Sequence, residues 1–405
     1  MDALIVGAGI AGPVTAMALE KAGISARIVE AHRLDGGDTG SYFTVSPNGL
    51  DALDAIDGLP VAIREGFPTR RNVMRGASGT VLGDLPLGVP LAGGTPALTM
   101  KRTRLARALA NEAMRRGIGI EDGRRLHEAR RTGDSVIATF EDGSTATADL
   151  LIGADGVHSV VRGLIDPTAP SARYVGLTNF GGITPAGSVP GLDLEPETWQ
   201  FTFGGRAFFG AHLTPTGDVV WFVNAPRDAI GREERASTSD RTWQAWLASL
   251  FDADAGPAAD LIRGGRLELA GDSTYDLGHV PVWHRDRMII IGDAAHAPAP
   301  SSGQGASMAM EDGVVLAMAL RDAPSIEAGF AAYERARRKR VERIVAHGAR
   351  SSSAKTPGRF GRFARDTFLR LALRYLITER SLAWMYGHRI DWDATVGAGE
   401  ALVAV

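Results

Sequence analysis

The sequence predicts an α/β fold: a Rossmann-like domain of parallel strands and helices, interrupted by an inserted antiparallel β-sheet and followed by a carboxyl-terminal helical cap. Three observations carry that prediction. Glycine turns follow short apolar strands at three distant places: Gly7-Ala8-Gly9-Ile10-Ala11-Gly12, Gly153-Ala154-Asp155-Gly156, and Gly292-Asp293 with Gly303-Gln304-Gly305. Between the second and the third, aromatic residues recur at period two, as in a sheet with one covered face. Near the carboxyl end, residues 363–387 follow a helical pattern whose apolar face is interrupted by Arg365, Arg370 and Arg374.

Residues 3–6 (Ala-Leu-Ile-Val) form the continuous apolar run of a strand buried on both faces. The first glycine turn follows at once. Ile10, Val14, Met17 and Ala18 then share a helical face that ends near Gly23. A second strand, Ala26 to Val29, stops at Glu30 and completes a βαβ unit. Leu105, Leu109 and Ala113, four apart, predict a helix over 103–116. Residues 124–152 read as antiparallel strands joined at Thr132-Gly133-Asp134 and Glu141-Asp142-Gly143, running into Leu150-Leu151-Ile152. In the aromatic segment Trp199, Phe201 and Phe203 fall on one face while Gln200 and Thr202 take the other. The strand Met288 to Ile291 returns to the first domain, a helix runs from about Gln304 to Leu320, and a charged helix covers 327–349. The expected division is a discontinuous dinucleotide-binding domain (1–70, 100–165 and 280–350), a substrate-binding sheet domain (71–99 and 166–279) and a helical segment (351–405).

Composition removes several function classes. A net charge of -3 over 405 residues gives no reason to expect nucleic acid or an acidic membrane surface as partner. The absence of cysteine excludes disulfide staples, thiolate metal sites and thiol–disulfide catalysis. No histidine and acid cluster has metal-ligand spacing, so no metal is expected. The apolar start lacks a basic leader and is broken by Gly7, Gly9, Gly12 and Pro13, so it reads as strand, turn and helix rather than an export signal. No run of about 18 apolar residues occurs, and a cytoplasmic location with no membrane partner is expected.

Each motif has its own chemistry. Glycines at 7, 9 and 12 permit a tight turn, close approach of a pyrophosphate and close helix–strand packing, and the helix amino terminus offers free N–H groups to phosphate. Glu30, 18 residues after Gly12, stands where a carboxylate accepts ribose hydroxyls. This motif does not separate FAD from NAD. Asp293, at a strand end, suits polyol hydroxyls. Gly303 to Gly305 lie at a helix amino end whose N–H groups would face a ring edge that gains negative charge, with Pro298 and Pro300 stiffening the approach. Asp155 has a plain turn residue before Gly156 as its lesser reading, while His158 and His296 read as structural or exposed and Ser301 and Ser302 as helix caps.

The stretch from Leu151 to Arg162 resembles the second signature of the class A flavoprotein monooxygenases, the para-hydroxybenzoate hydroxylase-like family. The stretch Ile290 to Asp312 resembles the third, Arg102 matches the arginine that approaches the FAD pyrophosphate, and Pro47-Asn48-Gly49 resembles an early loop of the family. The resemblance covers about 1–165 and 280–350 and thins over 166–280. It implies the glutathione-reductase-like FAD-binding fold of that family. The FAD-binding set it implies is Gly7, Gly9, Ile10, Ala11, Gly12, Glu30, Arg102, Asp155, Gly292, Asp293, Pro300, Gly303, Gln304, Gly305 and Ala306. It further implies NADPH or NADH as transient donor, O2 as co-substrate, and transfer of one oxygen from a flavin C4a-hydroperoxide to an electron-rich ring. The substrate expected is a bulky aromatic or polycyclic molecule of secondary metabolism. Its pocket would be walled by Phe201, Phe203, Phe209, Trp221 and Pro298, with Arg206 and His212 as candidate catalytic groups against a surface or structural role. Reductase or dehydrogenase chemistry on the same scaffold, such as alkene reduction, is the alternative, as is epoxidation. A non-catalytic FAD-binding protein is the third reading. Oligomeric state stays open.

Overall fold

The structure, a computed structural model, describes residues 1–34, 40–352 and 359–396. The opening strand Asp2–Val6 sits inside a six-stranded sheet. Its order is His284–Arg285, Met288–Ile290, Leu150–Gly153, Asp2–Val6, Ser25–Val29 and Gly119–Glu121, parallel throughout except for the two-residue edge strand. Pairing is in register at the carboxyl ends, with Val6 opposite Gly153 and Gly153 opposite Ile290. Three glycine turns about 150 residues apart in sequence therefore leave neighbouring strands on one edge of the sheet, where ligands bind in open α/β folds.

The helices Ala11–Lys21 and Gly305–Asp322 follow the first and third turns and pack on each other. Their contact is close because Gly313 faces Thr15, where a Cβ would come within 2.6 Å of Oγ1. Met308, Met310, Val314, Leu316 and Leu320 are buried on several sides of the second helix, which makes it a core element rather than an amphipathic cover. Each such side chain contributes roughly 1.5–3 kcal/mol of transfer free energy.

Residues 126–148 form a three-stranded antiparallel sheet, Leu126–Thr132, Ser135–Phe140 and Thr145–Ala148. The aromatic segment builds a seven-stranded sheet in the order Arg266–Asp276, Arg173–Thr184, Val219–Pro226, Phe208–Leu213, Thr198–Phe203, Arg71–Gly76 and Val81–Leu85. It departs from the expected wholly antiparallel sheet at one pair: Thr198–Phe203 and Arg71–Gly76 run parallel. Strand Ala97–Lys101 also departs from expectation. It pairs with Tyr42–Val45 and Phe67–Thr69 in a small separate sheet, because it leads without a break into helix Arg102–Arg115.

The two faces of the seven-stranded sheet have different covers. One packs against helices Asp240–Ser249 and Ala258–Gly264 through Phe180, Trp221, Trp243, Leu247 and Leu261. The other looks back at the glycine turns. Helix Arg359–Tyr375 lies over the edge strand Val81–Leu85, where Gly83 takes φ +146° and leaves no room for a Cβ beside Leu373. Helix Glu379–Tyr386 opens with a capping box between Thr378 and Ser381 and brings Tyr386 against Gly88. Of the expected 351–405 helical segment, 353–358 and 397–405 lie outside the described residues. No described helix is long and apolar enough to cross a membrane.

Candidate active site

A single cavity of about 1400 Å³ runs from the first glycine turn to the aromatic face of the seven-stranded sheet. That exceeds the roughly 300–1,000 Å³ of one small-molecule pocket, so it has room for a cofactor and a second ligand together. Gly7, Gly9, Ile10, Ala11, Glu30, Arg102, Asp155, Asp293, Pro298, Pro300, Gly303, Gln304, Gly305 and Ala306 all line it. Gly12 and Gly292 do not, and shape the wall from behind. A Cβ on Gly12 would stand 1.9 Å from the Gly7 carbonyl oxygen, and Gly292 takes φ +56° while its N–H donates to Asp312 Oδ2 at 2.9 Å. Gly7 itself, at φ +107°, would drive a Cβ to 2.4 Å from the Ala154 oxygen.

The carboxylates divide by role. Glu30 accepts the Ala8 N–H at 2.7 Å and the His32 N–H at 2.9 Å, which aims it beside the turn with lone pairs left over. Asp155 caps helix Val160–Ile165, accepting Ser159 Oγ at 2.5 Å and the N–H groups of Val160 and Val161. Its side chain is therefore engaged by the start of that helix, while the residue also lines the cavity. Asp293 is the opposite case. Among the described residues its carboxylate has no hydrogen-bond partner, and it lies by Pro298 and Gly305, whose built Cβ would be 3.7 and 3.8 Å from Pro298 Cγ and Asp293 Oδ1. Burial raises its carboxyl above the ordinary aspartate range, with Arg102 working against that shift. Such a carboxylate is stabilised by hydroxyl donors brought by a ligand, as ribityl hydroxyls would be.

Around the third turn, Gly303 N–H is taken by the Pro300 carbonyl and Gln304 N–H by Ser302 Oγ at 3.2 Å, so the open helix amino end begins at Gly305. Ser301 donates to the Gly348 carbonyl instead of capping. Gln304 is wholly buried: its amide donates to Ser46 Oγ and accepts from Asn48 Nδ2. Asn48 also donates to Glu311 Oε1 at 2.7 Å. Burial works to raise the Glu311 carboxyl, but Arg340 and Arg337 outweigh it and hold it well below the usual range. Asp312 is likewise gripped by His296 Nε2 at 2.6 Å and Arg337 Nε at 2.7 Å. This buried charge network fixes the turn from beneath. Arg337 and Arg340 escaped the sequence reading, although both lie on one face of the charged helix, three residues apart.

On the sheet side, Trp199, Phe201, Phe203, Phe208 and Phe222 form an aromatic floor, with Trp199 and Phe201 stacked at 5.6 Å. Gly210 makes that packing possible, since its Cβ would enter the Phe222 ring. Phe209 and Trp221, expected in the pocket, are core residues on the other face. Register explains it: Phe209 pairs with Thr202 and Trp221 with Ala211, which pairs with Gln200, so both point away from Phe201 and Phe203. Asn72, Asn179 and Asn224 share the cavity face and had no sequence signal of their own.

Neither candidate catalytic group reaches the cavity. Arg206 lies in the exposed turn after Phe203, reaching toward the Ser249 carbonyl at 3.4 Å. His212 shares the face of Trp199 but is sealed beneath Phe67, whose ring stands edge-on at 5.0 Å. Its Nδ1–H donates to the Leu213 carbonyl at 2.8 Å, leaving Nε2 to accept from Thr69 at 3.1 Å. Thr69 and Thr99 are bonded at 2.7 Å, and Trp199 Nε1 donates to Thr99 at 2.9 Å. Burial pulls the imidazole down to about 4, so it is a neutral acceptor that ends this chain. His158 lines the cavity edge-on to Tyr275 at 4.8 Å. Among the described residues no cluster has the make-up of a metal site.

Residues 1–347 match the model of a family described as "FAD binding domain". The FAD-dependent urate hydroxylase of Klebsiella pneumoniae is 30% identical over 357 residues, 85% of this chain and 88% of that protein. The 2-heptyl-3-hydroxy-4(1H)-quinolone synthase of Mycobacteroides abscessus is 31% identical over 346 residues, 84% and 86% of the two chains. Among solved structures, Klebsiella pneumoniae HpxO complexed with FAD and uric acid superposes with a TM-score of 0.81 at 26% identity, covering 95% of this chain and 97% of that one.

Proposed function

This chain belongs to the FAD binding domain family as a class A flavoprotein monooxygenase, and on that premise we propose that it consumes NAD(P)H and O2 to place one oxygen atom on an electron-rich aromatic or polycyclic small molecule. The observation that carries the reading is the continuity of one cavity from the nucleotide turn, past the unpartnered Asp293 carboxylate, to a floor of five aromatic rings. FAD, when bound, supplies the redox and oxygen chemistry. The chain supplies the rest. Gly7, Gly9 and the helix behind them would seat the pyrophosphate, Glu30 would accept ribose hydroxyls, and Asp293 would accept ribityl hydroxyls, all of these residues except the helix interior lying in the cavity wall. The amino end of helix Gly305–Asp322 would steady negative charge at the ring edge, worth up to ~2 kcal/mol when partly buried. The aromatic floor on one side, with Leu369, Leu373, Leu382 and Met385 on the other, excludes water from the reacting face.

Arg206 lies outside the cavity and His212 is a neutral structural acceptor, so neither of the two expected groups is placed to ionise a phenol. The reading therefore favours rings that are electron-rich without a base. Hydroxylation and epoxidation both fit this geometry. The test is flavin-loaded protein turned over with NADPH or NADH under ¹⁸O2 and a panel of fused-ring substrates. One labelled oxygen per product, with one NAD(P)H and one O2 consumed, is the expected result. Turnover that proceeds equally well without O2 points to reductase chemistry and sinks the oxygenase.

A further inference from the structure

We propose that the outer face of helix Arg359–Tyr375 docks on an anionic phospholipid bilayer and sets the rim of the cavity against it. The inference concerns delivery of an apolar ligand and stands apart from the reaction. Phe368, Leu371 and Tyr375 fall three and four residues apart on one face of that helix, and Leu376 follows its end. They are 64%, 54%, 63% and 66% exposed, and Leu376, Phe368 and Tyr375 are the most exposed large apolar side chains among the described residues. The inner face is fixed. Arg365 is buried, donates to the Phe203 carbonyl at 3.2 Å and sets its guanidinium 5.0 Å from the Phe203 ring. Leu369 and Leu373 line the cavity from that side. Phe368 belongs to both faces, lining the cavity while largely exposed, so the rim and the outer apolar strip are one surface.

Charge selects the occupant. The net charge of -3, which gave no reason to expect a membrane surface, conceals a local excess: residues 343–380 hold nine Lys or Arg against two acids, a net +7 that leaves -10 for the remainder. Arg370 and Arg374, one turn apart, border the strip on the side away from the cavity, with Arg374 5.3 Å from the Tyr375 ring. Arg380 follows, and all three are exposed with no ion-pair partner among the described residues. Arg350, in the cavity lining, has the same sign. Of the nearby acids, Asp366 pairs with Arg365 and Asp84, on the strand beneath, with Arg71, both at 2.8 Å. Glu379 is the one acid between 367 and 390. An apolar strip edged by arginines suits a helix lying in the plane of a bilayer surface, its rings and leucines among the acyl chains and its guanidinium groups at the phosphates. A second copy fits worse, since a two-fold contact sets these cations against themselves.

The experiment floats flavin-loaded protein with vesicles of phosphatidylcholine alone or with about one third phosphatidylglycerol, at about 0.1 M salt. Partition onto the anionic vesicles is expected to exceed that onto neutral ones by at least about fivefold, and to fall by about half or more at about 0.5 M salt. Arg370→Gln with Arg374→Gln, and Leu371→Ser with Tyr375→Ser, should each lower it at least about fivefold at unchanged flavin content. Because the chain has no cysteine, Leu371→Cys accepts a single polarity-sensitive dye, whose emission should move to shorter wavelength on anionic vesicles. The same dye at Glu128→Cys, exposed on the three-stranded sheet, should not shift. No partition onto anionic vesicles, or equal partition onto neutral ones, overturns the proposal. An unshifted dye at position 371 does so too, as does wild-type binding in both double variants. Dimerisation that the double variants abolish, without lipid binding, gives the face to a second copy and equally overturns it. If a double variant loses flavin, the labelled protein decides. Protein recovered with lipid is the readout, so a chain without oxygenase activity still answers the question.

Discussion

His212 and Trp199 show how one buried acceptor can hold a wall of the cavity. The ring of Trp199 faces the ligand space while its N–H feeds a threonine pair that ends on His212 Nε2. Protonating the imidazole puts a donor where an acceptor is needed. Because the folded-state value is about 4 and the ordinary value near 6.5, the unfolded chain binds this proton more readily, and stability falls as pH drops from about 6.5 toward 4. His388, also pulled down to about 4 by burial, acts in the same direction. Each contributes at most about 3 kcal/mol. Thermal denaturation between pH 4.5 and 7.5 should give a shallower slope for His212→Gln than for the wild type, and an unchanged slope would remove His212 from this role. Arg206→Ala should leave FAD content and turnover within about twofold of wild type, since its side chain is remote from the cavity. Asp293→Ala should lower FAD affinity by roughly tenfold or more, the effect of one or two charge-assisted hydrogen bonds, measured by flavin release on dilution.

At the scale of elements, the turn after Met288–Ile290 is held by side chains from three helices. Glu311 and Asp312 descend from helix Gly305–Asp322, Arg337 and Arg340 rise from helix Ile326–Ser352, and Asn48 enters from helix Pro47–Asp54. Arg340 also donates to the carbonyls of Trp384 and Met385 at 2.6 and 2.8 Å, which ties the cap helix Glu379–Tyr386 to the third glycine turn through Glu311. Removing one partner of a buried ion pair typically costs ~3–5 kcal/mol. Arg340→Met should cost less, about 2–3 kcal/mol, because Arg337 and Asn48 still hold Glu311. Urea denaturation measures it, and a loss under 0.5 kcal/mol would show that the clasp is idle. Gly12→Ala belongs to the same scale: the added methyl meets the Gly7 carbonyl of the preceding turn, so helix and strand must separate. The expected loss is at least the ~1–3 kcal/mol of an overpacked core, together with loss of bound FAD. Both arginine partners sit in a plainly helical, charged segment, and nothing in their spacing separates a buried clasp from a solvated face.

For the whole molecule, two sheets with different hydrogen-bond logic meet across one cavity. The parallel sheet gathers three glycine turns at its carboxyl edge, and the larger sheet turns an aromatic face toward them. We propose that these halves act as separate domains, with 71–99 and 166–279 as the substrate side; hydrogen exchange should then show the strands Thr198–Phe203 and Val219–Pro226 opening independently of Asp2–Val6. Local chemistry sufficed to read the βαβ opening, the glycine turns, the place of Glu30 and Asp293 beside those turns, and the period-two face of Trp199, Phe201 and Phe203, since each depends on backbone freedom or alternation within a few residues. Which face Phe209 and Trp221 occupy depended on the register of neighbouring strands, and a shift of one residue exchanges the two faces. The burial of His212, the exposure of Arg206, the amides of Asn72 and Asn179 and the clasp of Arg340 depended likewise on what a distant segment lays over them. Burial, pairing and charge compensation are properties of contacts made across the fold, so only the tertiary structure could assign them.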